Sequence, residues 1–397
     1  MTDKNIRELF NNIIKFEPAE RTLKCEFGYW GGTINRWYKE GLPKVKGLPK
    51  EISYGESIAG SFVTWSPQGG VFPLKDYDIK HYFGLDEGFT LFPYHYWIYP
   101  PFEEKIIYED DKFIEHFDVD GVRKKILKDN SSIPLWLEWP VKNRKDWEKI
   151  KEEKFNLNNL HDRYAVNLEN YKKEISDKIF PLGIFYYPVG FFGSIRLLVG
   201  EENLFILYYD DPSLVKDILG HLCEFWLCMA EELLSNLNLD IVGFWEDMAG
   251  KNGSMISPVI FKEYMTPYYK RITDFLKSRG INKCFVDTDG NVEELIPLFI
   301  EAGVNMMLPF ERQAGNELMY YRKKYPNFVM MGGFDKNVLY KGKEAIDSEI
   351  NKMECLISQG GYIPFCDHLI PPNVAWEDFK YYRKRLDRII EITTIKL

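Results

Sequence analysis

Side chains that can transfer protons or bind metals follow a series of short apolar segments in the C-terminal half of the sequence. These polar residues are Glu246, Asp247, Lys251 and Asn252, then Asp287 and Asp289, then Glu311, and finally Cys366, Asp367 and His368. Carboxylates of like sign repel one another away from water unless a cation or the donors of a substrate offset their charge. If these residues meet, we expect them to bind a metal ion or a polar ligand.

His368 is the histidine that follows one of these segments, and we expect it to act as a general acid. Its neighbour Asp367 would select the tautomer of the imidazole or raise its basicity. Asp287 and Glu311 complete the predicted catalytic group. The alternative for His368 is a hydrogen-bonded structural position in a loop.

The apolar segments are interpreted as β-strands, because each is followed by a polar turn and a longer segment of helical periodicity. The strand candidates are Phe180–Tyr187, Ile241–Trp245, Lys283–Val286, Met306–Leu308, Phe328–Met331 and Tyr362–Phe365, with an earlier one at Leu23–Phe27. The helix candidates are Pro212–Leu237, Pro258–Ser278, Val292–Ala302, Asn316–Tyr325 and Gly342–Gln359. This alternation predicts parallel strands joined by right-handed crossovers, with Asn291 and Asp335 as caps of the following helices.

Eight such strands would close into a (β/α)8 TIM barrel, an α/β fold whose reactive groups gather at the carboxyl ends of the strands. A doubly wound open sheet is the alternative, but no G-x-G-x-x-G or G-x-x-x-x-G-K-[ST] motif supports it. We expect a single domain over residues 1–397, with the main barrel from about residue 106. The aromatic-, Gly- and Pro-rich residues before about 105 are predicted to form an extension or lid over the cavity. Residues 105–160 are predicted to form a small hairpin and a solvated helix.

The composition excludes several classes of protein. The 397 residues are 45% hydrophobic and 16% aromatic, which is enough for one large core. A formal net charge of −9 and the lack of a Lys/Arg cluster argue against nucleic-acid binding. No signal-peptide pattern and no run of about 18 apolar residues occurs, so we expect a cytoplasmic location and no membrane span. Six cysteines without a CxxC pair argue against a disulfide framework or a zinc ribbon.

Five segments resemble the uroporphyrinogen decarboxylase superfamily, in the same order along the chain. They read EFGYWGGTINRWYKEGLP, WEDMAGKNGSMISPVIFKEYMTPYYKRI, DTDGNVEELIPLFIEAGVNMMLPFE, MMGGFDKNVLYKGKEAIDSEI and GGYIPFCDHLIPPNVAWEDFKYY. The resemblance covers most of the chain. It leaves the reaction open, because the superfamily includes porphyrinogen decarboxylases and methyltransferases that move methyl groups between small molecules and corrinoid proteins.

The resemblance favours the corrinoid-dependent, O-demethylase-like methyltransferases over the decarboxylases. The decarboxylases carry an N-terminal Arg-Gln-Ala-Gly-Arg signature, whereas this sequence reads Glu26-Phe27-Gly28-Tyr29-Trp30 with Arg36 following. A tetrapyrrole with eight carboxylates requires more cationic donors than this region supplies.

A zinc site is also implied by the resemblance to the methyltransferases. That branch usually carries His-x-Cys at one strand end and a distant Cys at the last. Asp287-Thr288-Asp289 stands at the His-x-Cys position here, and Cys366 falls where the distant Cys is expected. An oxygen-rich set is less suited to activating a thiol, although zinc accepts mixed ligands. The candidate ligands are Asp287, Asp289, Glu311, Cys366 and His368.

The function implied by the resemblance is transfer of a methyl group between a small methylated substrate and a corrinoid protein, with acid or metal assistance. The substrate would be an aryl methyl ether or a methylamine, and the corrinoid would belong to a separate protein because the DxHxxG signature is absent. The residues expected to contact substrate are Tyr29, Trp30, Arg36, Glu246, Asp247, Lys251, Asn252 and Tyr187, within an aromatic wall that could include Trp37, Tyr94, Trp97, Tyr186, Phe191 and Phe192.

Two other functions stay open, and they come from different classes. One is a cofactor-free decarboxylase of a small or porphyrinogen-like substrate, in which Asp and His would protonate a carbanion. The other is a non-catalytic binding protein on a barrel scaffold. A homodimer is compatible with the sequence.

Overall fold

The largest element of the fold is a parallel sheet of eight strands. The computed structural model describes residues 5–45, 48–49, 52–64, 74–176 and 180–395. We number the strands of this sheet in chain order: β1 Val63–Thr64, β2 Phe89–Leu91, β3 Leu182–Tyr186, β4 Ile241–Trp245, β5 Cys284–Asp287, β6 Met306–Leu308, β7 Val329–Met331 and β8 Tyr362–Ile363. Each strand pairs in parallel with the next, from β1 at one edge to β8 at the other.

Most helices connect the strands of the sheet and cover its outer face, whereas the first helix packs its buried side chains against the inner face. The α-helices are Ile6–Lys15, Gly31–Lys39, Asp78–Phe83, Arg144–Lys154, Leu168–Ile175, Phe191–Val199, Glu201–Asp210, Pro212–Leu234, Pro258–Tyr264, Thr266–Ser278, Leu295–Glu301, Leu318–Lys324, Lys343–Ser358 and Trp376–Ile392. Short 3-10 helices lie at Leu157–Arg163, Arg312–Ala314 and Lys336–Val338. Within the described residues, no helix is both long and apolar enough to span a membrane.

Side chains of the sheet alternate between an inner and an outer hydrophobic cluster, as the two-residue period of a strand requires. The inner cluster takes residues from all eight strands: Val63, Phe89, Leu91, Tyr186, Ile241, Phe285, Met306, Leu308, Val329, Met331 and Ile363. The sheet therefore curls around this cluster. The Phe285 ring packs inside the curl against Gly243. A Cβ at position 243 would lie 2.3 Å from this ring, so a larger residue would displace it. The intervening residues, such as Val242 and Phe244, join the cluster that packs against the helices.

Residues 22–28 lie between the two edges of the curled sheet. The Thr22 hydroxyl donates to the carbonyl of Tyr362 in β8 at 2.7 Å. The amide of Phe62, next to β1, donates to the carbonyl of Glu26 at 3.0 Å. We expected this segment to be an early strand over Leu23–Phe27, and that prediction is wrong, because no strand ladder forms there. Scattered hydrogen bonds hold the segment instead, including those from the amides of Gly60 and Asp86 to the carbonyls of Phe27 and Lys24.

The predicted α/β class and the parallel pairing of the strands are confirmed. β4 and β6 have the predicted bounds, and the other four predicted strands of the C-terminal half are one to three residues shorter or shifted at an end. The predicted helix Pro258–Ser278 is wrong as one element, because it divides at Met265 into two helices. Residues before 105 supply β1 and β2 to the main sheet as well as the surrounding loops.

A four-stranded antiparallel sheet stands where we predicted a single hairpin. Its strands are Lys105–Glu109, Phe113–Phe117, Arg123–Leu127 and Leu135–Glu138, in this order across the sheet. The charged residues in these strands weaken the apolar pattern from which strands are predicted. The helix Arg144–Lys154 follows as predicted, with the Asn143 side chain accepting from the amides of Lys145 and Asp146 at its start.

Candidate active site

Four carboxylates gather at the carboxyl ends of the middle strands. Asp287 is the last residue of β5, Asp289 follows it, and Asp247 and Glu311 come from the ends of β4 and β6. Their charges act on one another: Asp247 and Glu311 both contribute to raising the pKa values of Asp287 and Asp289. The expectation that strand ends would bring these residues together is therefore met, and they define the mouth of the curled sheet.

Asp287 is the carboxyl group at the base of this mouth. The Tyr186 hydroxyl donates to Asp287 Oδ2 at 2.5 Å. Burial, with a smaller contribution from the charges of Asp247 and Glu311, raises the pKa of Asp287 to about 8, against the hydrogen bond from Tyr186. Asp287 is partly accessible. Burial therefore favours the protonated carboxyl group, which can still be reached from the mouth.

The backbone of Tyr186 is held in a conformation that side chains rarely adopt. Its φ is 97°, and φ of the preceding Phe185 is 65°. Such values are uncommon for residues other than glycine and cost of order 1–3 kcal/mol, so they persist only where the surroundings enforce them. Here the distortion ends β3 and carries the phenol to Asp287. The sequence singled out Tyr186 only as part of an aromatic wall.

Asp289 lies on the same side of the mouth, beside His368. Burial is the main cause that raises its pKa well above the ordinary value, and the charges of Asp247, Glu311 and Asp287 add to it. His368 Nε2 lies 3.6 Å from Asp289 Oδ2. The two carboxyl groups of the Asp287-Thr288-Asp289 segment are thus both poised to hold protons.

His368 lies in the mouth as predicted, but its electrostatics differ from our expectation. Burial, together with the charge of Lys336, lowers its pKa to about 3. Its ring centroid is 5.9 Å from that of Phe27 and 6.5 Å from that of Trp30. Both causes favour the neutral imidazole, which weighs against the expected role of a general acid.

Asp367 does not serve His368 as expected. Its two carboxylate oxygens accept from the backbone amides of Arg312 and Lys336, at 2.8 and 3.0 Å. Burial raises its pKa to about 6 against these hydrogen bonds and the charge of Lys336. Asp367 thus fixes the loops that follow β6 and β7 instead of setting the tautomer of the imidazole.

Two cations border the carboxylates, and sequence reasoning missed both as site residues. Lys336 Nζ lies 3.6 Å from Glu311 Oε1. Arg196 donates to the Asp247 carbonyl at 3.0 Å and to Asp247 Oδ2 at 3.4 Å. Lys336 lies in the loop that follows β7, five residues after Met331, so its position near a strand end was a usable signal. Arg196 belongs to the helix Phe191–Val199, and nothing local to its sequence indicated its contact with the mouth.

Glu246 faces away from the mouth. It accepts from the amides of Phe191 and Gly193, both at 2.7 Å, and from the Tyr269 hydroxyl. Burial raises its pKa to about 7 against these hydrogen bonds. In β4 the odd-numbered residues face inward, so Glu246 reaches the outer layer and stabilises the start of the helix Phe191–Val199. This placement contradicts the predicted contact with substrate.

Cys366 also lies in the outer layer. Its side chain is fully buried in the cluster that packs against the helices. Its amide donates to Glu26 Oε1 at 2.8 Å, and Glu26 in turn pairs with Arg383 at 3.2 Å. Burial is the main cause that raises the pKa of the Cys366 thiol well above its ordinary value. The thiol cannot join Asp287 or Asp289, which lie on the other face.

The predicted zinc site does not fit this arrangement. Zinc in proteins requires three or four ligand atoms converging on one point. Among the residues described, no three His, Cys, Asp or Glu side chains are arranged to hold a metal ion. Cys366 faces outward, and Lys336 stands against Glu311. The described residues therefore do not fit the predicted zinc site.

The remaining predicted substrate contacts divide into three groups. Trp30 and Tyr187 are partly exposed at the mouth, where the Tyr187 and Trp245 rings are 4.7 Å apart. Lys251 and Asn252 are exposed at the tip of the hairpin formed by Ala249–Gly250 and Gly253–Ser254. This hairpin covers the loop after β5, since the Asn291 amide donates to the Gly250 carbonyl.

Tyr29 and Arg36 lie outside the mouth, contrary to prediction. Tyr29 is fully buried, with its ring centroid 5.6 Å from that of Trp37, and its hydroxyl has no hydrogen-bond partner in the described part of the chain. Arg36 donates to Glu40 Oε1 at 2.6 Å and to the Pro372 carbonyl at 3.0 Å. Most other residues of the predicted aromatic wall are core: Trp37, Tyr94, Trp97, Phe191 and Phe192 are buried in the outer cluster.

The two predicted caps differ in outcome. Asp335 accepts from the Asn337 amide at 2.9 Å and caps the 3-10 helix Lys336–Val338, as expected. Asn291 accepts from the Glu293 amide at 3.1 Å and donates to the Ala314 carbonyl, so it shapes a turn ahead of the next helix.

Comparison with known proteins places this geometry in a family. Residues 131–388 match the family model of uroporphyrinogen decarboxylase (URO-D). The chloroplastic uroporphyrinogen decarboxylase of Nicotiana tabacum is 28% identical over 130 residues, which is 32% of this chain and 32% of that protein. The matched part thus spans about a third of the length of this curated relative.

A solved structure shares the fold over nearly the whole chain. It is a methyltransferase from Methanosarcina mazei, which superposes with a TM-score of 0.55 at 12% sequence identity. The match covers 96% of this chain and 98% of that one. At this identity the likeness concerns the fold alone.

Proposed function

Since the chain belongs to the uroporphyrinogen decarboxylase (URO-D) family, we propose that it is a methyltransferase in which Asp287 acts as general acid on the methyl donor. The observation that carries the proposal is the position of the Asp287 carboxyl group, partly accessible at the base of the mouth and hydrogen-bonded by Tyr186, where burial raises its pKa. The methyl donor would be a small methyl ether or methylamine. The acceptor would be a corrinoid carried by a separate protein.

Cleavage of the methyl donor is easier when the leaving oxygen or nitrogen atom receives a proton. When the carbon–oxygen or carbon–nitrogen bond of the methyl donor breaks, its electron pair stays on the heteroatom, which becomes a better leaving group if it is protonated. Asp287 would donate that proton, and Tyr186 would stabilise the resulting carboxylate. A bound corrinoid would supply the acceptor for the methyl group.

The surroundings of Asp287 support a substrate of modest size and little negative charge. Four carboxylates and two cations, Lys336 and Arg196, border the mouth. Lys336 and Arg196 are already paired with Glu311 and Asp247, so these two cations are not free to bind a substrate with many carboxylates. The partly exposed rings of Trp30, Tyr187 and Trp245 offer apolar surface to an aryl or methyl group.

The second candidate is decarboxylation without a cofactor. The same neutral Asp287 could protonate the carbanion left when carbon dioxide departs, and the sequence match to a uroporphyrinogen decarboxylase favours this reaction class. Arg196 and Lys336 would then be the groups that hold a substrate carboxylate.

We also propose that the curled sheet closes into a (β/α)8 barrel through residues 22–28. The hydrogen bonds of this segment to Tyr362 at one edge and to Phe62 at the other support closure. One domain over residues 1–397 would follow, in which the residues before about 105 supply β1, β2 and part of the cavity wall.

The experiment uses the purified full-length chain and reduced cobalamin as the methyl acceptor. A panel of aryl methyl ethers and methylamines is added, and methylation of the cobalamin is followed by its absorption spectrum. The proposal predicts methyl transfer from at least one donor. Release of carbon dioxide from a carboxylated substrate without cobalamin, together with no transfer from any donor, would select the decarboxylase.

A further inference from the structure

Glu26 is a fully buried carboxylate outside the mouth, in the segment between the two edges of the curled sheet. Its Oε1 accepts from the backbone amides of Cys366 and Phe27, at 2.8 and 3.3 Å. Its Oε2 accepts from the Tyr382 hydroxyl at 3.1 Å and from Arg383 at 3.2 Å. Two charges taken out of water repay their desolvation poorly, so a buried ion pair is weak evidence for stability. The cost of this pair points to a role besides stability.

We propose that Glu26 is a positioning residue for the mouth, acting through its hydrogen bond to the amide of Cys366. Cys366 lies two residues before His368, so the position of its backbone determines where the imidazole stands. His368 Nε2 lies 3.6 Å from Asp289 Oδ2, and a shift of the segment would break this contact. The inference rests on the proposed function, since it takes the mouth as the active site.

The same hydrogen bond reaches the acidic side of the mouth through Asp367, the residue after Cys366. Asp367 accepts from the backbone amides of Arg312 and Lys336, at 2.8 and 3.0 Å. Arg312 follows Glu311 directly in the chain, and Lys336 Nζ lies 3.6 Å from Glu311 Oε1. A displacement at the end of β8 would therefore also move the loops after β6 and β7.

Glu26 also fixes an aromatic ring on which His368 packs. Phe27 is the next residue in the chain, and its amide donates to Glu26 Oε1. The Phe27 ring centroid lies 5.9 Å from that of His368, and the ring is stacked on Phe365 with 6.1 Å between the centroids. One carboxylate thus holds both the backbone ahead of the imidazole and a ring beside it.

Arg383 has partners besides Glu26, and one of them provides a matched control. The guanidinium donates to the Cys25 carbonyl at 3.1 Å and pairs with Asp387, one turn further along the helix Trp376–Ile392. Asp387 is half-buried. Asp387→Asn therefore disturbs the same group of charges but leaves the acceptor of the Cys366 amide in place.

The first test separates positioning from stability and uses no substrate. The double variant Glu26→Leu/Arg383→Met replaces the buried pair by apolar side chains, a change that is often neutral for stability. We expect it to melt near the wild-type temperature, while the ring signals of His368 shift in NMR spectra of the histidine-labelled chain. Asp387→Asn should lower the melting temperature and leave those signals in place. Wild-type His368 signals in the folded double variant would overturn the proposal.

Glu26→Gln gives the opposite combination and is nearly isosteric with the wild type. Its side-chain oxygen can still accept from the Cys366 amide, and the Tyr382 hydroxyl can accept from its NH2 group. The charge that pairs with Arg383 is lost, so we expect a lower melting temperature with His368 signals close to those of the wild type. His368 signals that follow the melting temperature across the three variants would mean that Glu26 acts on stability alone.

The second test measures methyl transfer to reduced cobalamin, with a donor that the wild type uses. The double variant should lose about 10²-fold in kcat, because a misplacement of about 1 Å can cost that much. KM should change less, and Glu26→Gln should retain more activity than the double variant. A shifted His368 with an unchanged kcat would contradict a role in the reaction. A wild type that transfers no methyl group would contradict the proposed function, while the His368 signals would still decide whether Glu26 positions the imidazole.

Discussion

The Tyr186 hydroxyl donates to Asp287 Oδ2 at 2.5 Å, from a residue whose φ of 97° the surrounding structure must enforce. The hydrogen bond favours the ionised carboxyl group, whereas burial favours the neutral one and prevails. The balance leaves the pKa of Asp287 at about 8, close to the pH at which a general acid must both hold and release a proton.

Replacing Tyr186 should move the alkaline limit of activity. Tyr186→Phe removes a hydrogen bond that lowers the pKa of Asp287, so the acid form should persist to higher pH. We expect the alkaline limb of the rate profile to shift upward and the maximal rate to fall, because the carboxylate formed after proton transfer loses its donor. Tyr320→Phe, at an exposed helix position, is the control and should leave the limb in place. If the alkaline limb of Tyr186→Phe is unchanged, the hydrogen bond from Tyr186 does not set the pKa that controls activity.

Asp287 should make the free energy of unfolding fall as the pH rises from about 4 to 8. Its pKa is raised in the folded state, so between about pH 4 and pH 8 the folded chain binds more protons at this residue than the unfolded chain does. Wild-type stability is therefore lost as pH rises through this window, by at most about 1.4 kcal/mol per pH unit for one proton. Asp287→Asn cannot titrate there.

The measurement is urea denaturation of wild type and Asp287→Asn at several pH values. The free energy of unfolding of Asp287→Asn minus that of wild type should increase as the pH rises from 5 to 8. Asp274→Asn, on the exposed side of the helix Thr266–Ser278, should show no such trend. Parallel curves for wild type and Asp287→Asn would mean that the carboxyl group titrates normally.

His368 should remain neutral far into the acidic range. Burial and the charge of Lys336 lower its pKa to about 3. Imidazole resonances followed by NMR should show this histidine not titrating above pH 5, and His368→Gln identifies its signal. Lys336→Met removes one of the two causes and should raise the pKa. A pKa of His368 near 6.5 in the wild type would restore the imidazolium as a candidate acid.

Glu246 should matter for stability and not for substrate affinity. Glu246→Leu leaves the buried amides of Phe191 and Gly193 without an acceptor, at a cost of about 1–3 kcal/mol for each group. We expect a loss of about 3 kcal/mol in the free energy of unfolding, measured by urea denaturation, and a much smaller loss for Glu246→Gln. Glu377→Leu, at an exposed position, should change stability by less than about 0.5 kcal/mol. A Glu246→Gln variant with normal stability and a raised KM would return Glu246 to the site.

Cys366 should be irrelevant to metal content. Its thiol is buried on the outer face, beside Glu26 and Arg383, so Cys366→Ala should not alter the amount of zinc that copurifies with the chain. A modest loss of thermal stability is expected, as for removal of a buried side chain atom. Cys355→Ala, at an exposed cysteine, is the control. Loss of stoichiometric zinc in Cys366→Ala alone would contradict the arrangement described.

The elements of the fold were more accessible from sequence than the directions of the side chains. β4 and β6 have their predicted bounds, because short apolar runs between polar turns are clear local signals. The two-residue period of a strand also predicts which face of the sheet the side chains of Glu246 and Cys366 occupy. Counting outward from the inward Ile241 and Ile363 places both on the outer face, together with the even-numbered Val242 and Tyr362.

The rest of the site depends on contacts between distant parts of the chain. Arg196 reaches Asp247 from a helix 51 residues earlier, and Tyr186 reaches Asp287 across 101 residues. No local pattern predicts such contacts. The low pKa of His368 likewise arises from burial and from Lys336, which stands on another strand end. The positions of the acids after successive strands predicted that they meet in the mouth, but the burial that raises the pKa values of Asp287 and Asp289 is visible only in the structure.

The most direct test of the central claim is methyl transfer to reduced cobalamin by wild type and Asp287→Asn over pH 5 to pH 10. With a donor that the wild type uses, we predict a rate that falls as pH rises through about 8, and a loss of about 10²–10⁴-fold in Asp287→Asn at neutral pH. A variant that transfers methyl groups at the wild-type rate, with the same pH profile, would contradict Asp287 as the acid.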